Sequence, residues 1–370
     1  MKQLIARNTY FALINEDRPD VFPEAIDVFS PKIYQFGKDF YVSVFRQLEE
    51  NTSLSGYTFY LASHVPESLP EYGEKVILVV LQDESYKYRD YFNDIRCILR
   101  CLGTQAVYQD GFPFSRLKFA GLIHYCYKQF GRISSIWKEV RKYRRLGLSE
   151  VQRKTLHIPL GFFSNFEPKP TPIMERSIDY AFLGSIGYGE RFRNWKHYLM
   201  TPPKILSRNQ MLAAFQKVSD KFKGKVYTTG DFFESIESQA SYEEVLADTK
   251  ISVCPRGTSY ETFRFFESCK AGCVVICEAL PDVWFYKKHP AIILKDWSKL
   301  SSLIENLLND EEMLKAKSAE SLMYWNTICE QNLAVRIARF IEPIENRVTL
   351  SQLSQIDPEI SSQASHRSFG

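Results

Sequence analysis

The stretch Ile251-Ser-Val-Cys-Pro-Arg-Gly257-Thr-Ser-Tyr-Glu-Thr-Phe-Arg264-Phe-Phe-Glu267-Ser-Cys-Lys-Ala-Gly272-Cys-Val-Val-Ile276 decides the fold. Its pattern is strand, turn, helix, turn, strand, which is how parallel α/β sheets grow. Pro255 and Gly257 break the first strand and give the backbone a tight path. Thr258 and Glu261 have the S/T-x-x-E spacing of a capping box, which predicts a helix N-terminus at that point. Gly272 stands where a helix C-terminal glycine belongs.

That arrangement also suggests chemistry. A helix N-terminus presents unpaired N–H groups and the positive end of a dipole, so it suits a phosphate. Arg256 lies beside it and Arg264 about two turns further in. Guanidinium groups pair with phosphate oxygens in bidentate fashion. Glu267, three residues after Arg264, shares its helix face and could accept hydrogen bonds from ribose hydroxyls. The plainer alternative is a surface ion pair between Arg264 and Glu267.

Outward from this stretch the α/β rhythm continues in both directions. Asp179 to Leu183, Lys225 to Thr229 and Ile292 to Leu294 read as strands, with helices at Arg191 to Met200, Tyr242 to Asp248, Leu300 to Leu308 and Ala319 to Ile341. In the first half, Val76-Ile-Leu-Val-Val-Leu81 is a continuous apolar run typical of a strand buried on both faces. Tyr91 to Leu102 reads as a helix stopped by Gly103, and Leu122 to Arg145 as a second helix with Ile123, Tyr127, Phe130, Trp137 and Val140 at helical spacing. The proline-dense stretch from His157 through Pro172 suits an extended connector. The expected layout is therefore an N-terminal Rossmann-like domain over 1–160, a linker over 161–178, and a C-terminal nucleotide-binding domain over 179–325. A helix over 326–345 and a polar tail over 346–370 complete it. Two such halves predict two facing doubly wound domains, with ligands outside the carboxyl ends of the strands.

Other candidates follow from that placement. Gly184-Ser-Ile-Gly-Tyr-Gly189 follows a strand and precedes a helix bearing Arg191 and Arg193. Its glycines would let backbone approach a phosphate, and an arginine there would steady a departing nucleotide; a plain βα turn is the alternative. It lacks the GxGxxG order, which argues against a dinucleotide-dependent redox enzyme. Asp83 and Glu84, at the carboxyl edge of the 76–81 strand, are the candidate general bases, with His64 a rival. Either carboxylate could instead cap the following helix. The basic run Lys138-Glu-Val-Arg-Lys-Tyr-Arg-Arg145, after an amphipathic aromatic stretch, could contact an anionic membrane peripherally, or simply be a solvated helix face.

Composition bounds the rest. At 370 residues, 45 % hydrophobic and 25 % charged, the chain can fill two cores. Its 27 Phe and 21 Tyr suggest large cores and stacking surfaces. A net charge of +3 argues against a general nucleic-acid binder. The eight cysteines lie mostly in apolar runs and form no CxxC pair, and the six histidines are scattered, so no zinc site is expected. Buried thiols imply a reducing compartment, and no signal peptide or membrane-spanning run is read, so a cytoplasmic location is expected. In that setting the sequon Asn51-Thr-Ser53 would go unused.

Tyr242-Glu-Glu-Val-Leu-Ala-Asp-Thr-Lys-Ile-Ser-Val-Cys-Pro-Arg-Gly257, then Arg264-Phe-Phe-Glu267 and Ala271-Gly-Cys-Val-Val-Ile276, resembles the signature of the exostosin-like glycosyltransferases. The resemblance spans about Asp179 to Leu308. It implies a GT-B fold, a nucleotide-sugar donor that is usually a UDP-sugar, polysaccharide biosynthesis, and inversion at the anomeric carbon with no required metal or other cofactor. Arg256, Arg264 and Glu267 match the family's donor-site positions, with Gly184, Arg191, Arg193, Gly257, Thr258 and Ser259 completing the expected donor site. The chain contains no Asp-x-Asp, the arrangement that holds a metal on the donor in many glycosyltransferases. The acceptor would be a glycan or lipid-linked glycan. The alternative is a non-catalytic protein that keeps the GT-B shell and binds nucleotide or glycan.

Overall fold

The computed structural model describes residues 6–13, 23–30, 38–82, 87–101, 116–143, 148–163, 166–185, 203–227, 236–257 and 259–342. The first unit contains β1 (Thr9–Leu13), β2 (Pro23–Ala25), α1 (Lys38–Asn51), β3 (Thr58–Ala62), β4 (Gly73–Val80), β5 (Ile95–Arg100), α2 (Arg116–Tyr143), α3 (Leu148–Arg153) and β6 (Thr155–His157). These strands form a sheet in the order β2-β1-β3-β4-β5-β6, parallel throughout except for the antiparallel β1–β2 pair.

The alternation of side chains explains the apolar runs. Phe59, Leu61, Ile77, Val79, Cys97 and Leu99 enter one core, while Tyr60, Ala62, Val76, Leu78, Val80 and Ile98 enter another on the opposite face. A strand covered on both sides needs apolar residues at every position. The same fact corrects the helix expected over Tyr91 to Leu102. The chain there makes a single 3-10 turn, Asp90–Asp94, and then the strand Ile95–Arg100, flanked by β4 and β6. A short apolar run buried on both faces has no period that separates it from a buried helix.

The second unit contains β7 (Ile178–Leu183), α4 (Pro203–Phe215), β8 (Gly224–Tyr227), α5 (Ile236–Ala247), β9 (Thr249–Cys254), α6 (Phe263–Lys270), β10 (Val274–Cys277) and β11 (Ile292–Ile293). Its parallel sheet runs β11-β10-β9-β7-β8, so the strand order reverses between β7 and β9. The two Rossmann-like units are the GT-B layout expected from the sequence. The helix expected over Arg191 to Met200 lies outside the described residues.

Helices α7 (Leu300–Leu308), α8 (Glu311–Ile328) and α9 (Glu330–Ile341) end the described chain. The single helix expected over Ala319 to Ile341 is therefore two, broken at Cys329, whose ψ of 167° is not helical. This break lets α9 return to the first unit and pack on α1. There the Arg96 guanidinium donates to the Ile341 carbonyl (3.0 and 2.5 Å), and the Tyr57 hydroxyl donates to Glu342 (2.9 Å).

The connector is held as well. Arg176, buried, donates to the carbonyls of Thr171 (2.9 Å), Thr249 (2.7 Å) and Ala271 (2.9 Å). One guanidinium thus satisfies carbonyls from three segments, including one at the end of α6. The Trp284 indole N–H donates to the His157 carbonyl (2.7 Å), joining the second unit to the end of β6. A hydrophobic cluster running from Phe40 and Phe162 to Phe265 and Trp325 is continuous across both units.

Candidate functional site

The reversal between β7 and β9 is the position where a doubly wound sheet opens a crevice beyond its strand ends. β7 delivers Gly184 and Ser185 there, and β9 delivers Pro255 and Arg256. Two arginines converge on this point. Arg208, from α4, donates to the carbonyl of Ser185, to its hydroxyl (3.3 Å) and to the carbonyl of Arg256 (3.3 Å). It bridges the ends of both strands. Arg264, from the first turn of α6, lies over the Phe182 ring, 4.8 Å from its centroid, and Arg208 lies 5.7 Å from the same centroid.

The electrostatics of the pair are unfavourable. Burial and the neighbouring Arg264 push Arg208 down to about 9, and their effect exceeds the opposing pull of Glu278. Arg208 still carries its charge at neutral pH. The Arg264 Nε is buried and has no hydrogen-bond partner among the described residues. A buried donor left unmade costs about 1–3 kcal/mol, and more when charged. Both features are what an anion between the guanidinium groups would relieve. Nothing in the sequence singles out Arg208; it sits mid-helix with no motif around it, and only the contact between α4 and the strand ends gives it meaning.

Gly184 belongs to the same construction. Its φ is +154°, and a Cβ built there would lie 1.8 Å from the Arg264 guanidinium. Because that contact is with the end of a flexible side chain, the fold can yield but the arginine must move. Gly184→Ala is therefore expected to weaken anion binding at least about tenfold, roughly 1.4 kcal/mol, and to lower the melting temperature as well, because an alanine is strained at this φ. Calorimetry with UDP beside a thermal melt reads both. By contrast, a Cβ at Gly257 would meet nothing nearer than 3.6 Å, so no close approach demands glycine there.

Arg256 has a different neighbourhood from the one expected. It is buried, donates from Nε to Glu278 (2.5 Å), and stacks over the Tyr260 ring at 3.7 Å. Glu278 also accepts from the Ser207 hydroxyl and from the Trp297 indole (3.3 Å). The pair knits the end of β9 to α4 one residue before Arg208.

The capping-box expectation is corrected. Helix α6 begins at Phe263 with Thr262 as its N-cap, which makes no side-chain cap hydrogen bond. Glu261 is buried instead of capping, and its charge is felt by Tyr41 and Cys101 of the first unit and by Tyr286 and Tyr324 of the second. The S/T-x-x-E spacing is satisfied by the letters, but Glu261 is drawn into the junction between units. Arg264 consequently stands in the first helical turn, not two turns in. Ser259 is half-buried, its hydroxyl donating to the Glu261 carbonyl (3.4 Å). Gly272 does end the helix, with φ +67°.

Glu267 faces the connector rather than solvent. One carboxylate oxygen accepts from the Phe163 N–H (3.1 Å) and the other from the Tyr242 hydroxyl (2.5 Å). The surface ion-pair alternative is excluded by its burial, 5 % exposed. Burial raises the carboxyl above its ordinary value of 4.5, against the lowering effects of Tyr242, Phe163 and Arg264. A folded-state value raised above the unfolded one stabilises the fold most below 4.5, and that contribution is lost as pH rises through the folded value. Glu267→Gln resembles the protonated carboxyl, so its melting temperature is expected to lack this loss over the same window. Paired melts from acid to neutral pH check it.

Cys254 is a buried strand end. Its thiol is pushed up by burial, which makes it a poor nucleophile. Asp83, Glu84, Arg191, Arg193 and Thr258 lie outside the described residues. The Gln82 N–H donates to the Ser63 carbonyl (2.7 Å), which brings Gln82, Ser63 and the exposed His64 together at one end of the first sheet.

Residues 193–348 match the family described as RXYLT1 C-terminal domain. The chain is similar to ribitol-5-phosphate xylosyltransferase 1 of Danio rerio, 24 % identical over 122 residues, covering 30 % of this chain and 28 % of that protein. The chain thus matches less than a third of that relative's length. Among solved structures it is similar to the pneumococcal O-GlcNAc transferase GtfA in complex with UDP and GlcNAc, with TM-score 0.39, 9 % identity, and 89 % and 66 % of the two chains covered. It is also similar to AviGT4, a glycosyltransferase involved in avilamycin A biosynthesis, with TM-score 0.36, 10 % identity, and 90 % and 97 % covered.

Proposed function

We propose that this chain is a glycosyltransferase that moves a sugar from a UDP-sugar to a hydroxyl of a glycan or lipid-linked glycan, with inversion and without a metal. The observation that carries the reading is the Arg208–Arg264 pair at the β7/β9 reversal, two like charges held together around Gly184 and Ser185. A diphosphate supplies the missing negative charge. The matches to a xylosyltransferase and to its C-terminal domain support the same class of reaction.

In this reading Arg208 and Arg264 hold the diphosphate and offset the charge that develops on the leaving nucleotide. Arg191 and Arg193 would supply further positive charge to offset it, and Gly257, Thr258 and Ser259 would complete the donor site. Glu267 keeps spare acceptor lone pairs for ribose hydroxyls, while Arg256 acts through Glu278 to set the strand end. Asp83 or Glu84 takes the acceptor proton, with His64 as the alternative. The free thiols of all eight cysteines suit a cytoplasmic site of action.

The test is UDP release from a panel of UDP-sugars, with and without EDTA. UDP-xylose with ribitol 5-phosphate as acceptor heads the panel because of the Danio rerio relative. Turnover unaffected by EDTA and lost in Asp83→Asn or Glu84→Gln is expected. Intact UDP binding without turnover of any donor would favour the non-catalytic alternative.

A further inference from the structure

Among the described residues, helix α2 (Arg116–Tyr143) has an exposed apolar face. Phe119, Ile123, Tyr127, Phe130, Ile133 and Trp137 are each between 49 % and 74 % exposed. Their spacings of three and four residues place them on one stripe, since a turn holds about 3.6 residues. Ala120, Leu122, Tyr125, Gln129 and Ser134 are half-buried, so the helix leans on the protein while the aromatic stripe faces outward. Spacing alone predicted a helix, and a stripe of this kind ordinarily faces a core. Here it does not.

The charge on the helix identifies the occupant. Between Arg116 and Tyr143 there are seven Lys or Arg residues and a single acidic residue, Glu139, and Arg144-Arg145 follow in the sequence. A second protein surface would need a matching acidic patch. A lipid headgroup layer supplies anionic charge and apolar depth together, and aromatic side chains favour that boundary. Among the described residues no helix is long and apolar enough to cross a membrane, so contact through this helix is surface contact. We propose that α2 lies on an anionic lipid surface with its Phe119–Trp137 stripe in the headgroup region. Because α2 also touches α4, the helix that carries Arg208, docking would hold the anion site near lipid-borne molecules.

The test is co-sedimentation of the full chain with vesicles of phosphatidylcholine alone or with about 30 mol % phosphatidylglycerol. Binding to the anionic vesicles is expected, falling at about 0.5 M NaCl, where charges are screened within a few ångströms. The Phe130→Glu/Trp137→Glu variant should lose at least about tenfold in partitioning, with its melting temperature unchanged. Lys138→Gln/Arg141→Gln, which leaves the stripe intact, should lose part of it. Two results would overturn the proposal. One is a wild-type chain that ignores anionic vesicles. The other is a wild-type dimer by light scattering that the Phe130→Glu/Trp137→Glu variant converts to monomer, which would make the stripe a contact between copies.

Discussion

Replacing Arg264 with methionine is expected to weaken UDP binding by about 2–4 kcal/mol, roughly 30- to 1,000-fold, without lowering the melting temperature. The two halves of that expectation come from one arrangement. Arg264 lies over Phe182 beside Arg208, and its Nε makes no hydrogen bond among the described residues. Methionine keeps most of the side-chain volume over the ring while removing a charge that repels Arg208. A residue held there for stability would show the reverse, a lower melting temperature with ligand affinity kept. Arg208→Met is expected to weaken UDP as strongly, but at some cost in stability, because Arg208 also ties Ser185 to Arg256. Calorimetric titration and melts on the same preparations separate these outcomes.

Glu278→Ala is expected to produce the largest loss of stability, about 3–5 kcal/mol, because it strands a buried guanidinium. The Arg256 Nε lies 2.5 Å from Glu278, and both side chains are at most 10 % exposed. Ser207 and Trp297 lose an acceptor in the same step. For a domain of this size the melting temperature should fall by on the order of 10 °C. Because Ser207 precedes Arg208 on α4, UDP affinity should fall as well. The double variant Arg256→Met/Glu278→Leu removes both charges together and is expected to recover most of the lost stability, as buried pairs replaced by apolar groups often do. Denaturant melts of the single and double variants measure the difference. Equal losses in both would mean that the hydrogen bonds to Ser207 and Trp297, not the charge pair, hold the region.

The second half of the chain was legible because its strands are bounded by strong local signals. Asp179 to Leu183 ends in glycine, Ile251 to Cys254 ends in Pro255, and Gly272 takes the left-handed conformation that closes α6. The first half carried weaker punctuation. Ile95 to Arg100 reads equally well as helix or strand because both its faces are buried. Of the donor-site candidates named from the sequence, Gly184 and Glu267 each lie near Arg264. It could not identify Arg208, because what distinguishes that arginine is a contact between α4 and strand ends some distance away in sequence. Nor could it separate Arg256, which pairs with Glu278, from Arg264, whose Nε has no such partner. Glu261 failed for a related reason: a capping spacing says nothing about a competing buried junction.

The most direct measurement is a crystal structure of the chain with UDP. Diphosphate oxygens are expected within hydrogen-bond distance of both Arg208 and Arg264, beside the backbone of Gly184 and Ser185 at the β7/β9 reversal. A nucleotide bound elsewhere, or a diphosphate held by other cations while Arg208 and Arg264 keep their present contacts, would contradict this expectation.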